Sequence, residues 1–332
     1  MVDRDFGFSL WLDFVERDFL KNEFSKLIDR GAINGATSNP AIFATAITTS
    51  SAYKEQLEGL KGSTAKAKYE AVAIEDIKLA ARKLRTLYES GNDGYISIEV
   101  DPFLSNDTQG TLDEARRLFR EIGESNVMIK IPATDAGYGA MGKLIQEGIS
   151  VNATLVFSPE QAQKCLDAMS RAMVEYELVG GGRVEAVISV FVSRFDRLLD
   201  SELEKHGISK ATLGIMNAAK IYNLVQANPT RAIKILFAST GVKGDELAPE
   251  YYIKELYATH SINTAPLRTI EAYIVSNPSR EAKLPISNQK INAYFAKIAQ
   301  AGIDMDGVYE RLMQEGLEAF EIAFRDMLGA IE

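Results

Sequence analysis

The 332-residue chain has one cysteine, one tryptophan and two histidines. A single thiol, Cys165, excludes an internal disulfide and fits a reducing compartment. It falls in a helical stretch, where it reads as a small core residue. His206 and His260 are far apart and lack metal-ligand company, so no metal site is expected. No run approaches the roughly 18 apolar residues of a membrane span. There is no basic run with interleaved aromatics, and the net charge is -9 with a pI near 5.1. Those features argue against a nucleic-acid partner. The start, Met1-Val2-Asp3-Arg4-Asp5, lacks the basic and apolar regions of a secretory signal. The expectation is a soluble cytoplasmic globule that binds neither membrane nor nucleic acid. An acidic average does not exclude an anionic small substrate, because a few local cations decide that.

What the chain does have is apolar residues, 46% of the total, in strand-like and helix-like segments that alternate almost throughout. Strand patterns fall at 8–14, 35–39, 95–101, 127–132, 149–157, 185–193, 233–240 and 260–264. Helical patterns lie between them. One runs over 16–30, ended by Gly31, and another is a long insertion near 63–90 with apolar spacing in Ala73, Ile77, Ala80, Leu84 and Leu87. Asn39 precedes Pro40 as a helix cap, Ser158-Pro159-Glu160-Gln161 is a strong helix start, and Thr111 with Glu114 reads as a capping box. Two extra C-terminal helices, about 288–301 and 306–329, close the chain, and the last is available to cover a barrel mouth. Eight strands separated by helices, with no long linker, point to α/β architecture: a single (β/α)8 TIM barrel with additional helices. A doubly wound sheet is the alternative, since alternation alone does not show closure.

The most informative stretch is Val127-Met128-Ile129-Lys130-Ile131-Pro132. An ammonium group among apolar neighbours is costly, so such a site favours the neutral amine, a nucleophile towards carbonyl carbon. The other strands share the habit. Ile96, Ile98 and Val100 oppose Ser97, Glu99 and Asp101; Val151, Ala153 and Leu155 oppose Asn152 and Thr154; Ile188, Val190 and Val192 oppose Ser189, Phe191 and Ser193; Leu10 and Leu12 oppose Trp11 and Asp13. In a closed barrel the polar face points inward. Asp13, Asn39, Glu99, Lys130, Asn152, Thr154 and Ser189 then converge at the C-terminal mouth, where barrel enzymes keep their chemistry. Each has a plainer role beside this one. Lys130 fits an edge-strand gatekeeper, Glu99 a barrel salt bridge, Asp13 and Asn39 helix caps, and Asn152, Thr154 and Ser189 interior hydrogen-bonding groups. Gly137-Tyr138-Gly139-Ala140-Met141-Gly142 matches a dinucleotide fingerprint after a strand. The acidic residue downstream, Glu160, sits in a helix start rather than at a strand end, so an NAD-dependent oxidoreductase is the weaker reading.

Taken together the motifs resemble the transaldolase family, in its long bacterial branch. The resemblance rests on WLDF at 11–14, GATSNPAIF at 35–43, SIEVDP at 97–102, MIKIPAT at 128–134, GISVNATLVFS at 148–158, ISVFVSR at 188–194, FASTGVK at 237–243 and ELYATHSINTAP at 255–266. It implies a (β/α)8 barrel that moves a dihydroxyacetone unit between sugar phosphates through a lysine Schiff base, without a cofactor, in the non-oxidative pentose phosphate pathway. Lys130 matches the Schiff-base lysine, Glu99 the glutamate that works through a water, and Thr154 the threonine holding that water. Asp13 matches the aspartate that takes the C4 hydroxyl proton. Thr37, Asn39 and Asn152 match substrate contacts, Ser189 and Phe191 pocket-lining positions, and Arg194 and Ser239 phosphate contacts. One departure stands out: Gly241 occupies the place where many members carry a second phosphate arginine, and Lys243 is the nearby substitute. An aldolase releasing free dihydroxyacetone is the neighbouring activity; there the resemblance implies Gln and Tyr where this chain has Glu99 and Phe191. A barrel that only binds is a third reading, disfavoured by intact Asp13, Glu99 and Lys130. The oligomeric state is left open, a homo-oligomer being one outcome.

Overall fold

A computed structural model describes residues 2–332. Among them eight parallel strands close into a barrel in chain order. They are β1 (Phe8–Asp13), β2 (Gly35–Thr37), β3 (Ile96–Glu99), β4 (Val127–Pro132), β5 (Ser150–Val156), β6 (Ala186–Phe191), β7 (Ile233–Ala238) and β8 (Ser261–Ala265). The helices are α1 (Arg17–Asn22), α2 (Phe24–Asp29), α3 (Pro40–Thr49), α4 (Lys54–Gly59), α5 (Ala65–Glu89), α6 (Thr108–Ile122) and α7 (Asp135–Gln146). They continue with α8 (Pro159–Leu178), α9 (Ser193–Lys205), α10 (Leu213–Ala227), α11 (Tyr251–Glu255), α12 (Leu267–Ser276), α13 (Asn288–Gln300) and α14 (Met305–Ala330). Closure answers the doubly wound alternative, because β1 pairs with both β2 and β8. No helix among the described residues is long and apolar enough to cross a membrane.

Period-two alternation sorts the strand residues between two apolar layers. Leu10, Leu12, Ile96, Ile98, Val151 and Ile188 face outward and pack under the helices. Trp11, Met128, Val187, Leu236 and Ile262 fill the barrel itself and floor the site above them. Trp11 anchors its layer by donating its indole N–H to Asp93, 3.0 Å away. Gly35 lies alongside, where an added Cβ would fall 2.4 Å from that indole.

Several local expectations need correction. The 16–30 segment is two short helices, broken at Glu23. α6 starts earlier than the Thr111–Glu114 pattern implies: Asp107 caps it by accepting from the Gly110 N–H. Glu114 is recruited elsewhere, accepting from the Asp101 N–H at 2.7 Å and from Lys66 at 2.8 Å. The alternation in β5 fails at Leu155. A bulge between Ala153 and Val156 sets Thr154 and Leu155 against the single residue Ser189 of β6. Leu155 takes φ +56° and joins the inner cluster with Phe157 and Phe191, while Val156 faces the helices. A bulky residue with positive φ costs on the order of 1–3 kcal/mol, so the surrounding packing must hold it.

Gly137 and its companions belong to the body of α7, which Thr134 caps. A Cβ at Gly137 would lie 2.1 Å from the Pro132 carbonyl oxygen. The glycine is there for close helix–strand approach, and the fingerprint has no strand-to-helix phosphate turn. Cys165 is buried in α8, where burial pushes its thiol up.

The long α5 is tied to the barrel by a buried charge cluster. Arg17 of α1 pairs with Asp76 of α5, and both are almost fully enclosed. Tyr53 donates to the second Asp76 oxygen at 2.8 Å, and Gln56 accepts from Arg17 at 3.0 Å. Burial drives the Asp76 carboxyl above its ordinary range, and the Arg17 guanidinium pulls it back. Removing one member of such a pair strands the other. Arg17→Met is therefore expected to lower stability by about 3–5 kcal/mol, read as a fall in the urea midpoint. A midpoint unchanged from the parent would show that the cluster does not hold α5 in place.

Candidate active site

The strand register brings the polar groups together. Glu99 on β3 stands opposite Lys130 on β4, and Lys130 opposite Asn152 on β5. Asp13 on β1 stands opposite Thr37 on β2. Each projects inward near the C-terminal end of its strand, above the Trp11–Met128–Leu236 floor. The result is a cavity of about 280 Å³ lined by Asp13, Thr37, Asn39, Lys130, Thr154, Ser189, Phe191, Arg194 and Ser239, with Thr264 and Ala238. α14 crosses the mouth and contributes Ala319, Phe320 and Ala323. A wider open groove of about 810 Å³ lies on another side of α14, but its Lys164 is exposed and already faces Glu160 and Asp135.

Lys130 is 6% exposed. Its Nζ donates to the Ser38 carbonyl at 3.3 Å and lies 3.5 Å from Glu99 Oε2. That second contact is a long ion pair at the limit of hydrogen-bond distance, and Glu99 Oε2 makes no shorter hydrogen bond within the protein; Thr154 Oγ1 makes none. Two buried polar oxygens without a short protein partner beside a buried amine are unusual, since such groups are almost always satisfied. Burial drives the Glu99 carboxyl up to about 7; the Lys130 charge holds it down and the Asp13 charge adds to the rise. Asp13 is pushed up for the same first reason and pulled back by Lys130 and by the Thr37 hydroxyl. That hydroxyl lies 2.7 Å from Asp13 Oδ1 and 2.8 Å from Thr264 Oγ1.

Behind the amine, Asn152 is fully enclosed. It donates to Ser97 at 3.0 Å and accepts from Ser189 at 2.6 Å, so its amide is locked in one orientation. Asn39 does two things at once: it caps α3 by accepting from the Ile42 N–H at 3.0 Å and still lines the cavity. At the far end Arg194 lies over Phe191, 5.1 Å from the ring centroid. Among the described residues no carboxylate comes within ion-pair distance of it, which leaves its charge free for an anion. Ser239, at φ +55°, meets Ser193 through a 3.1 Å hydroxyl contact beside it.

The structure brings every sequence-derived site residue to this mouth except Lys243, which is exposed and outside the lining. Glu99 and Asn152 stand just behind Lys130, outside the free volume. Thr264 and Phe320 were not singled out from the sequence. Alternation about Ile262 in β8 carries the signal for Thr264; nothing local in α14 marks Phe320.

An amine enclosed by a barrel, between two carboxylates, can form an imine with a carbonyl compound and move protons around it. The (β/α)8 enzymes that work through a lysine are the class this arrangement suggests. The chain belongs to the transaldolase/fructose-6-phosphate aldolase family, whose model matches residues 10–331. It is 47% identical to a transaldolase of Campylobacter jejuni strain 81-176 over 332 residues, covering 98% of this chain and 99% of that one. It is 44% identical to a transaldolase of Helicobacter pylori strain Shi470 over 324 residues, covering 97% and 99%.

The electrostatics can be tested directly. Between about pH 4.5 and 7 the folded protein holds a Glu99 proton that the unfolded chain has released. This carboxyl therefore favours folding least above pH 7, and its contribution to stability falls as pH rises through that window. A carbon-13 titration should place the Glu99 midpoint near 7. Lys130→Met should drive it higher by about 1–3 pH units. A midpoint that stays put or falls would show that the two groups do not interact.

Proposed function

We propose that this chain is a transaldolase that uses Lys130 to carry a dihydroxyacetone unit between sugar phosphates in the non-oxidative pentose phosphate pathway. The observation that carries the reading is the buried Lys130, which lines one cavity with Asp13 and has Glu99 3.5 Å from its amine. Lys130 attacks the C2 carbonyl of a ketose phosphate such as sedoheptulose 7-phosphate or fructose 6-phosphate. Glu99, through a water held by Thr154, supplies and removes the protons of carbinolamine dehydration. A carboxyl balanced near 7 both gives and takes protons at neutral pH. Asp13 accepts the C4 hydroxyl proton as the C3–C4 bond breaks, and the aldose phosphate leaves.

The three-carbon enamine stays on Lys130 until glyceraldehyde 3-phosphate or erythrose 4-phosphate takes it. The protonated imine is the electron sink, so the reaction as written calls for no metal or cofactor. Asn39, Asn152 and Thr37 orient substrate hydroxyls. Arg194, with Ser239, holds the phosphate. Such chemistry belongs in the cytoplasm, where these sugar phosphates circulate. The family also contains aldolases that release free dihydroxyacetone; Glu99 and Phe191 favour transfer over release.

Borohydride together with fructose 6-phosphate is expected to label Lys130 covalently, and peptide mass mapping reads the site. Glu99→Gln should still be labelled, with kcat lower by about 10²–10⁴-fold. A fully active Lys130→Met variant, or label on another lysine, would refute the proposal.

A further inference from the structure

The walls of the cavity are polar, but its roof is not. α14 presents Ala319, Phe320 and Ala323, and the Phe320 ring centroid lies 5.5 Å from Lys130 Nζ. Phe320 is only half-buried. α14 has other anchors: Tyr309 donates to Asn217 at 2.9 Å, Phe324 meets Tyr69 edge-on at 5.5 Å, and Gly316 sits close against Leu155 and Arg194. Leu312 and Met327 are fully enclosed. The helix thus has other means of staying in place, and an aromatic ring held open over a buried amine calls for another reason. A carbon bonded to Nζ lies about 1.3–1.5 Å from it. On the ring side that carbon comes to about 4 Å from the centroid, an ordinary packing distance. That carbon is C2 of the unit, and the gap on the ring side of it fits one layer of substrate atoms.

We infer that Phe320 keeps water from the three-carbon unit on Lys130 and so commits that unit to transfer. The inference rests on the transaldolase reading. The enamine has two fates. In transfer, its nucleophilic carbon attacks the aldehyde carbon of the acceptor, a C–C bond forms, and the aldehyde oxygen takes up a proton. In release, that same carbon takes a proton from water instead and an iminium results. Oxygen from water then adds at C2, the C2–N bond breaks, and free dihydroxyacetone leaves. One water is consumed: its oxygen becomes the carbonyl oxygen, one hydrogen ends on carbon and the other on the lysine nitrogen. The nucleophilic carbon is one bond from C2, and an apolar ring over this end of the unit keeps water off the ring side, from which it would deliver the proton that begins release; the proton on Asp13 is the one that transfer returns to the acceptor oxygen. The acceptor still reaches that carbon from the Arg194 end. Once the new C–C bond exists the carbon is no longer basic, and water on the Glu99 side hydrolyses the product imine without competition.

The test measures two rates on full-length protein with fructose 6-phosphate as donor: transfer to erythrose 4-phosphate, and release of free dihydroxyacetone without acceptor. Both are normalised to sites trapped by borohydride. Phe320→Gln keeps the size but brings polar groups to the roof; it should raise the release-to-transfer ratio about tenfold or more. Phe320→Leu keeps an apolar roof of similar bulk, and its ratio should stay near that of the parent protein. Two results overturn the inference: a Phe320→Gln ratio that does not move because both rates fall together, and a Phe320→Leu ratio that rises as far as the Gln one. A parent protein that neither transfers nor becomes labelled would instead remove the transaldolase reading itself.

Discussion

The site depends on a charge pair that the barrel almost encloses. Lys130 and Glu99 sit on adjacent strands inside a closed barrel, and neither is more than 7% exposed. Taken out of water, each group is costly alone; together they offset part of that cost, though a contact as long as 3.5 Å does not recover all of it. The shortfall appears as the raised Glu99 carboxyl. A perfectly satisfied salt bridge would be more stable and less reactive. The incomplete pairing leaves a carboxyl able to exchange a proton beside the amine when a carbonyl arrives.

The rest of the barrel follows from protecting that pair. Parallel strands with period-two alternation give an apolar face to the helices and an inner face that is greasy at the bottom and polar at the top. Asn152 shows the cost of the arrangement: a fully buried amide needs Ser97 and Ser189 to satisfy it, so three strands must hold their register together. The bulge in β5 belongs to the same design. It turns Leu155 into the inner cluster, and α14 makes room for that side chain by placing Gly316 against it. The strained backbone of one strand and a small residue in the closing helix fit each other.

Much of this was legible in the residues, for reasons that differ from case to case. The barrel showed in eight strand patterns separated by helices, and where a strand alternates, hydrophobic patterning reports the face it turns to the helices. The Ser158–Gln161 capping box was readable because all its partners lie within four residues. The apparent box at Thr111 failed because Glu114 is captured by Lys66 and Asp101, far away in the chain. Leu155 failed because a bulge is a relation between two strands and leaves no mark on either alone. Phe320 was invisible for a similar reason: its helical neighbours describe an ordinary amphipathic helix, and only the tertiary path of α14 carries it over Lys130. Lys130 was legible because a cation in an apolar strand is locally anomalous, and anomalies of that kind need no partner to be noticed.

The phosphate end shows how far one residue's environment can compensate for another's absence. Gly241 has no side chain with which to grip an anion, and Lys243 is exposed and outside the lining. Arg194 is left as the cation of that end, so its geometry has to do more. Its guanidinium carbon lies over the Phe191 ring, 5.1 Å from the centroid, and the lack of a carboxylate partner among the described residues keeps its donors free. Burial and the nearby Arg197 make the charge harder to carry there, and an anion would relieve both. α9 begins beside it with no side-chain cap at Val192, so the positive end of the helix dipole adds to the same field. Under the proposed function, a single arginine in such surroundings meets the phosphate by the direction of its charge, and the sugar arrives with its carbonyl end towards Lys130.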